Sequence, residues 1–428
     1  MFIQFTVGNF RSFKDPVTLS MVAAKIKAKD KQTDANNTIR IDDNLSLLTS
    51  AAIYGANASG KSNLIKAISF MRNFVLMSVQ MTERSEGIPI ETFLLNTITS
   101  IEPALFEIVF IIEDRKYRYG FEIDNKSVRG EWLFLAGSRK EIRLYTRDEN
   151  GIRRGRMFSE GKALEDKTRR NALYLTVVSQ FNGPISQAIS KWFQNFSVIS
   201  GLDDTDYQRF TLEQFKNVEQ QRAITGFVKS FDVGIDDIQK KEIDTSSLTF
   251  APGVPEEFQK IIQKTSEKAI AIQTIHKIYD ANNVAVSNVP FDLINNESNG
   301  TQKLFFLAAP ILVTLSNGLV LVIDELEARF HPIITCELIK LFNNPMTNPK
   351  HAQLIFTTHD TNLLSNKRFR RDQIWFTEKN KYGVSDLYSL SEIKIRNDSS
   401  FENDYIEGKY GAIPFIGSYH YLPMENQQ

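Results

Sequence analysis

The run Gly55-Ala56-Asn57-Ala58-Ser59-Gly60-Lys61-Ser62 decides how this chain is read. It fits the pattern GxxxxGK[ST], a phosphate-binding loop, and its surroundings suit one. An apolar, strand-like stretch precedes it (Leu47, Leu48, then Ala51 to Tyr54). A helical pattern follows, with Leu64, Ile65, Ile68 and Met71 on one side. Glycines at both ends let the backbone curl so that successive N–H groups point at phosphate oxygens. The helix behind them adds its positive N-terminal dipole. In such a loop Lys61 reaches the outer phosphates and the Ser62 hydroxyl completes a Mg²⁺ shell. A plain glycine-rich turn is the blander reading of the same letters; strand, loop and helix in that order favour the phosphate loop.

The rest of the chain bounds what that loop can serve. Its 428 residues suffice for two or three domains, or for one elaborated α/β domain with a large core. Lys+Arg and Asp+Glu are equal at 51 each, so no global basic field advertises nucleic acid. Basic residues outnumber acidic ones between Arg139 and Arg170, with Arg153, Arg154, Arg156, Arg169 and Arg170 prominent. A solvated hairpin and loop surface is the plainer reading of that stretch. The single cysteine, Cys336, excludes an internal disulfide and a cysteine-based zinc site, and it suits a reducing cytosol. Met1 leads straight into the alternating strand Phe2–Val7, without a signal-like apolar core. Apolar runs stop short of the roughly 18 residues a membrane span needs. The longest candidate, Leu304 to Ile323, is interrupted by Pro310 and Ser316-Asn317-Gly318 and reads as helix, turn and buried strand. A cytoplasmic protein without membrane partners is expected.

Along the chain, strands are predicted at 2–7 and 17–22, then an exposed polar and mobile loop from Lys25 to Asp43. Three alternating runs, Ala104–Glu113, Lys116–Ile123 and Val128–Leu135, are separated by Asp114-Arg115 and Asp124-Asn125-Lys126, which is hairpin chemistry. A further pair, about 141–147 and 152–158, turns at Asp148–Gly151. Helical spacing dominates from about 160 to 285: Ile185, Ile189, Trp192 and Phe193 keep it, and Glu213–Phe231 and Glu256–Tyr279 are further helix candidates. Strand signals return with Leu319–Ile323 and Leu354–Phe356, continuous apolar runs suited to central parallel strands.

Three more constellations carry chemistry. Leu319–Ile323 ends in Asp324-Glu325, and the carboxyl end of a buried strand is where an α/β sheet places ligand chemistry. There Asp324 would hold Mg²⁺ and Glu325 would polarise an attacking water; two acids that merely end a strand at the surface are the alternative. Glu297-Ser298-Asn299-Gly300-Thr301-Gln302-Lys303 precedes a helical run, so Ser298 with Asn299-Gly300 makes a capped helix start, a second anion site or an ordinary N-cap. Thr357-Thr358-His359-Asp360 puts a histidine where a strand meets a loop, a position that is often incidental.

The order of these elements resembles that of the ABC-type ATPases: phosphate loop, Ser-x-Gly before a helix, apolar strand with Asp-Glu, strand with Thr-His. Within that superfamily the chain is similar to the SMC, RecF and OLD branch, through Asn9-Phe10-Arg11-Ser12-Phe13 and through Asp324-Glu325-Leu326-Glu327 followed by His331-Pro332. The tail Asp404–Pro414 resembles the ending of the RloA and abortive-infection (AbiLi-like) ATPases, small bacterial proteins associated with phage defence. The resemblance covers about 1–135 and 290–415. It implies an α/β fold: an ABC-ATPase head, that is a P-loop NTPase with a mixed central sheet plus an antiparallel β-subdomain, and a helical insertion lobe. The expected domains are an ATPase lobe at 1–158, a helical insertion at 159–289 and a second ATPase lobe at 290–428.

The resemblance further implies Mg²⁺-dependent ATP hydrolysis in a head-to-tail homodimer or higher homo-oligomer. Lys61, Glu325 and His359 would be catalytic, with Glu325 orienting water and His359 sensing the γ-phosphate. Gly55, Asn57, Ala58, Ser59, Gly60, Lys61, Ser62, Asn63 and Arg11 would contact nucleotide. Ser298 and Gly300 of a second copy would close over it. Ser62 and Asp324 would hold the metal. Hydrolysis then becomes a switch in dimer geometry, controlling a separately encoded effector such as a Toprim-type nuclease in an anti-phage operon. DNA repair of the SMC/RecF kind, with DNA as partner, is the alternative. An OLD-type self-contained nuclease is disfavoured, because only about 70 residues follow His359, too few for an added domain. Two departures stand out. Phe93-Leu94-Leu95-Asn96 has an asparagine where a glutamine loop is expected, and the signature has Glu-Ser-Asn-Gly in place of Leu-Ser-Gly-Gly.

Overall fold

Alternating side chains in the first third of the chain build one antiparallel sheet. In the computed structural model, which describes residues 1–84, 87–137, 140–203, 205–231, 234–243, 269–365, 367–395 and 400–414, its strands are β1 (Phe2–Gly8), β2 (Val17–Ser20), β6 (Ala104–Ile112), β7 (Arg115–Ile123), β8 (Val128–Ala136), β9 (Glu141–Asp148) and β10 (Gly151–Arg154). They run in the order β10-β9-β8-β7-β6-β1-β2. The hairpin chemistry at 114–115 and 124–126 is borne out: β6, β7 and β8 pair antiparallel around both turns.

A second, mixed sheet carries β5 (Ser50–Tyr54), β11 (Phe196–Ser200), β15 (Val320–Asp324), β16 (Gln353–Thr357), β17 (Ile374–Lys379) and β18 (Ser385–Ser389). Its order is β11-β15-β16-β5-β17-β18. The first five are parallel and β18 returns antiparallel to β17. Its central members read as continuous apolar runs because both faces are covered: every residue of β5 and β16 is buried. The expected α/β P-loop class, a mixed central sheet with an antiparallel β-subdomain, is what the chain forms.

Helix Lys61–Arg84 leaves the loop after β5 and contacts β1 of the first sheet and β11 and β15 of the second. Its Phe70 stacks on Phe106 of β6 at 5.1 Å between ring centroids, and Phe74 meets Phe121 of β7 at 5.5 Å. Such pairs add about 0.5–1.5 kcal/mol each beyond the area they bury. The phosphate loop therefore sits at the end of a helix whose far side is gripped by an aromatic core.

The tail also has a structural task. Tyr405 and Tyr410 pack on Phe376 of β17, Tyr405 also meets Tyr54 at the end of β5, and the Tyr388 hydroxyl donates to the Tyr410 carbonyl. Gly411 has φ +70, a conformation glycine adopts without strain, and a Cβ there would crowd Glu378 Oε2 and the Tyr388 hydroxyl at 2.8 Å.

Three expectations need correction. The stretch 25–43 is not simply a loop: it holds helix Lys31–Asn36 and β3 (Thr38–Arg40), which pairs with β4 (Ser46–Leu48). It is anchored by the Arg370 pairing with Asp34 and by Asn37 donating to Gln373 at 2.7 Å. The helix predicted at Glu213–Phe231 is present but starts later, at Val218–Lys229, because Asn217 caps it by accepting from the Glu219 and Gln220 N–H groups, while Glu213 and Gln214 end a separate helix, Thr205–Gln214. Finally, Glu256–Tyr279 is not a helix over its second half. Residues 269–279 form β13 (Ala269–Tyr279), flanked by β12 (Asp237–Ile243) and β14 (Ala285–Asp292). Ile270, Ile272, Thr274, His276 and Ile278 alternate with period two, and β-branching favours the strand. Residues 256–268 of that candidate lie outside the described set.

Contacts divide the chain into two units: Met1–Leu202 with Thr314–Ala328 and Thr335–Gln428, and Asp203–Val313 with Arg329–Ile334. Among the described residues no helix is long and apolar enough to cross a membrane.

Candidate nucleotide site

The parallel strands of the first unit deliver the predicted residues to one edge. β5 ends in the phosphate loop, β15 in Asp324-Glu325, and β16 in Thr357 followed by Thr358-His359. Asn57, Ala58, Ser59, Gly60, Lys61, Ser62, Asn63, Glu325, His359 and Lys379 line a single cavity of about 370 Å³. Residues separated by some 300 positions in sequence thus face one space.

The loop is held in shape by side chains the sequence did not flag. Gly55, Ala58 and Gly60 all have positive φ, 153°, 61° and 127°. A Cβ on Gly55 would lie 2.4 Å from the Thr377 carbonyl, and one on Gly60 would meet Ser385 at 2.7 Å. Ser59 Oγ bonds Thr377 Oγ1 at 2.6 Å, and Ser385 Oγ donates to the Ser59 carbonyl at 2.6 Å. On the other flank Asn63 donates to Ser12 Oγ at 2.8 Å, and the Ser12 carbonyl accepts from Ser385 N–H. Arg11, a predicted nucleotide contact, is paired with Glu91 at 2.7 Å and does not line this cavity; its neighbour Ser12 supports the loop.

Lys61 is buried, and its ammonium donates to the carbonyls of Gly55 at 2.7 Å and Ala56 at 3.1 Å. Burial pushes its pKa down to about 8, while the charges of Glu325, Asp324 and Glu327 work the other way. His359 has its pKa lowered by desolvation first and the Lys61 charge second, which keeps the imidazole neutral near pH 7. The His359 main-chain N–H donates to Glu327 Oε1 at 2.6 Å, tying the Thr-His loop to the acidic turn.

That turn is strained and buttressed. Glu325 adopts φ +54, a left-handed conformation that costs a non-glycine residue about 1 kcal/mol or more. Thr357 Oγ1 accepts from the Glu325 N–H at 2.7 Å and donates to Asp324 Oδ1 at 2.6 Å. Gly201, after β11, donates its N–H to the Asp324 carbonyl at 2.6 Å, and a Cβ there would sit 2.0 Å from the Glu325 carbonyl.

Ser298 and Gly300 belong to the second unit, where their geometry is that of the expected N-cap. Ser298 Oγ accepts from Thr301 N–H at 3.2 Å, ahead of helix Asn299–Asn317. The preceding Glu297 takes a 2.7 Å bond from His276 of β13, and Gln302 donates to the Glu297 carbonyl. Of the arginines that gave residues 139–170 their basic bias, Arg153 pairs with Asp148, Arg154 with Glu165, and Arg169 donates to the Val79 carbonyl.

A glycine-cradled loop, a buried lysine at a helix start and acids at the ends of parallel strands define a P-loop fold and mark its candidate phosphate site. A protein family described as "AAA domain, putative AbiEii toxin, Type IV TA system" matches residues 50–365, and the chain belongs to that family. Among solved structures the chain is similar to the SMC head domain from Thermotoga maritima: 14% identity, 92% of this chain and 99% of that one, TM-score 0.39. It is similar as well to an Smc head bound to the C-terminal winged-helix domain of ScpA (14% identity, 91% and 97% covered, TM-score 0.47). A third is an Smc head with an extended coiled coil, bound to the C-terminal domain of ScpA derived from Pyrococcus furiosus (12%, 96% and 98%, TM-score 0.38). No curated protein matches the sequence.

Proposed function

We propose that this chain hydrolyses ATP with Mg²⁺ and works as a nucleotide-switched homodimer or higher homo-oligomer that controls a separately encoded effector in bacterial anti-phage defence. The observation that carries the reading is the shared cavity: the phosphate loop, Glu325 and His359 come from three strands and face one space. The Abi toxin name in the description of the matched family favours defence over DNA repair.

In this reading Lys61 leaves the Gly55 and Ala56 carbonyls for the outer phosphates. The loop N–H groups and helix Lys61–Arg84 take the remaining charge. Glu325 orients the attacking water, and the neutral His359 donates to the γ-phosphate. The Ser62 hydroxyl and Asp324 carboxylate are hard oxygen donors of the kind Mg²⁺ takes, and two such groups suffice where phosphate and water complete the shell. A Mg²⁺ held there would supply positive charge against the phosphates. Ser298 and Gly300 of a second copy close over the γ-phosphate, so its loss releases the pair. The decisive experiment is phosphate release from ATP by purified protein with Mg²⁺, beside Lys61→Ala. Turnover that Lys61→Ala abolishes is expected; no nucleotide binding by the unmodified protein would end the reading.

A further inference from the structure

We infer that Lys379 is a second phosphate-reading cation of the nucleotide site, gripping the polyphosphate of nucleoside di- and triphosphates beside Lys61; the inference rests on the proposed nucleotide function. Lys379 ends β17, the parallel neighbour of the strand that leads into the phosphate loop. Side chains alternate along a strand, so Thr377 and Lys379 share a face. Thr377 bonds Ser59 on that face, while the intervening Glu378 turns the other way to accept from the Tyr388 hydroxyl. Lys379 pairs in register with Ser385, whose hydroxyl donates to the Ser59 carbonyl. Its base is thus bolted to the phosphate loop from both strands.

Two lysines line the cavity, and they are held differently. Lys61 is buried and bonded to loop carbonyls, whereas Lys379 is exposed and forms no ion pair among the described residues. A polyphosphate carries more negative charge than one ammonium neutralises. An exposed lysine at the rim, with its strand fixed to the loop, supplies a second charge-assisted contact when the ligand arrives.

The test is calorimetric affinity for ATP, ADP and AMP in the full chain, comparing the unmodified protein with Lys379→Gln, Lys379→Arg and Lys61→Ala. Lys379→Gln should weaken ATP and ADP about tenfold or more and AMP less, with Lys379→Arg recovering part of the loss. The ATP affinity of the unmodified protein should fall with salt more steeply than that of Lys379→Gln. If the unmodified protein binds ATP and Lys61→Ala loses it, while Lys379→Gln with an unchanged melting temperature binds as before, this inference is overturned and the nucleotide site stands. If the unmodified protein binds no nucleotide, both fall.

Discussion

The Thr357 hydroxyl holds Asp324 by a 2.6 Å hydrogen bond while accepting the N–H of the next residue, Glu325, so one side chain on β16 sets the shape of the acidic turn after β15. Both partners matter, because Glu325 sits at a positive φ that needs outside support. Thr357→Val keeps the volume and removes both bonds. It should cost about 1–3 kcal/mol of stability, seen as a lower urea midpoint, and slow ATP turnover at least tenfold. Nucleotide affinity should stay within a few-fold, since the phosphate loop is untouched. A loss of affinity as large as the loss of turnover would contradict a positioning role.

Glu325 lines the cavity, and in the proposed reaction it orients the attacking water. Glu325→Gln keeps its shape and removes its basicity, so turnover should fall about a hundredfold or more with ATP still bound. Sedimentation in the presence of Mg²⁺ and ATP should then show an accumulated dimer. Adding Ser298→Arg to that variant should return it to monomer, since the bulk would block closure over the γ-phosphate of the other copy. Normal turnover by Glu325→Gln would remove the water-orienting role.

Much of this site could be read from spacing because its chemistry is local: glycines, a lysine and a serine in eight residues, and acids at the end of an apolar strand. The residues that shape it could not. Thr377, Ser385, Thr357, Ser12 and Gly201 act across strands, and neighbouring strands here are up to some 300 residues apart in sequence. Strand β17 (Ile374–Lys379), with its TEK ending, gives no periodic signal strong enough to reveal that Lys379 faces the phosphate loop. Nor does spacing reveal that Arg11 pairs with Glu91, eighty positions away. Residues 269–279 alternate with period two, but the helical spacing of the sequence around them reads the same window as a helix.

The depressed pKa of Lys61, about 8, predicts how affinity changes with pH. The buried amine must carry its proton to hold phosphate. Affinity should therefore be greatest below about pH 8 and fall roughly tenfold for each unit above it. ADP is the cleaner probe, because phosphate ionisation, with a pKa near 6, is complete before this window opens. Bound phosphate raises the lysine pKa again, so calorimetry at pH 8.5 in buffers of different ionisation heat should record net proton uptake. Lys61→Arg, which stays charged throughout, should flatten the profile if it binds.

Away from the site, Glu131 of β8 makes the sharpest stability prediction. It is 0% exposed, yet its carboxylate accepts from the Tyr119 and Tyr145 hydroxyls at 3.1 and 2.7 Å. It also accepts from the Tyr174 and Leu175 N–H groups, at 2.7 and 3.1 Å, at the start of helix Tyr174–Gln180. Burial first, and the Glu131 charge next, push both phenols well above their usual pKa, so they remain donors. Glu131→Leu removes the acceptor shared by four buried donors and the carboxylate 3.9 Å from the largely buried Arg147 side chain, and should lower stability by about 3–5 kcal/mol, whereas Tyr119→Phe or Tyr145→Phe alone should cost about 1 kcal/mol. Urea unfolding reads the difference. In the fraction that stays folded, ATP affinity should match the unmodified protein, because none of these residues lines the phosphate-loop cavity.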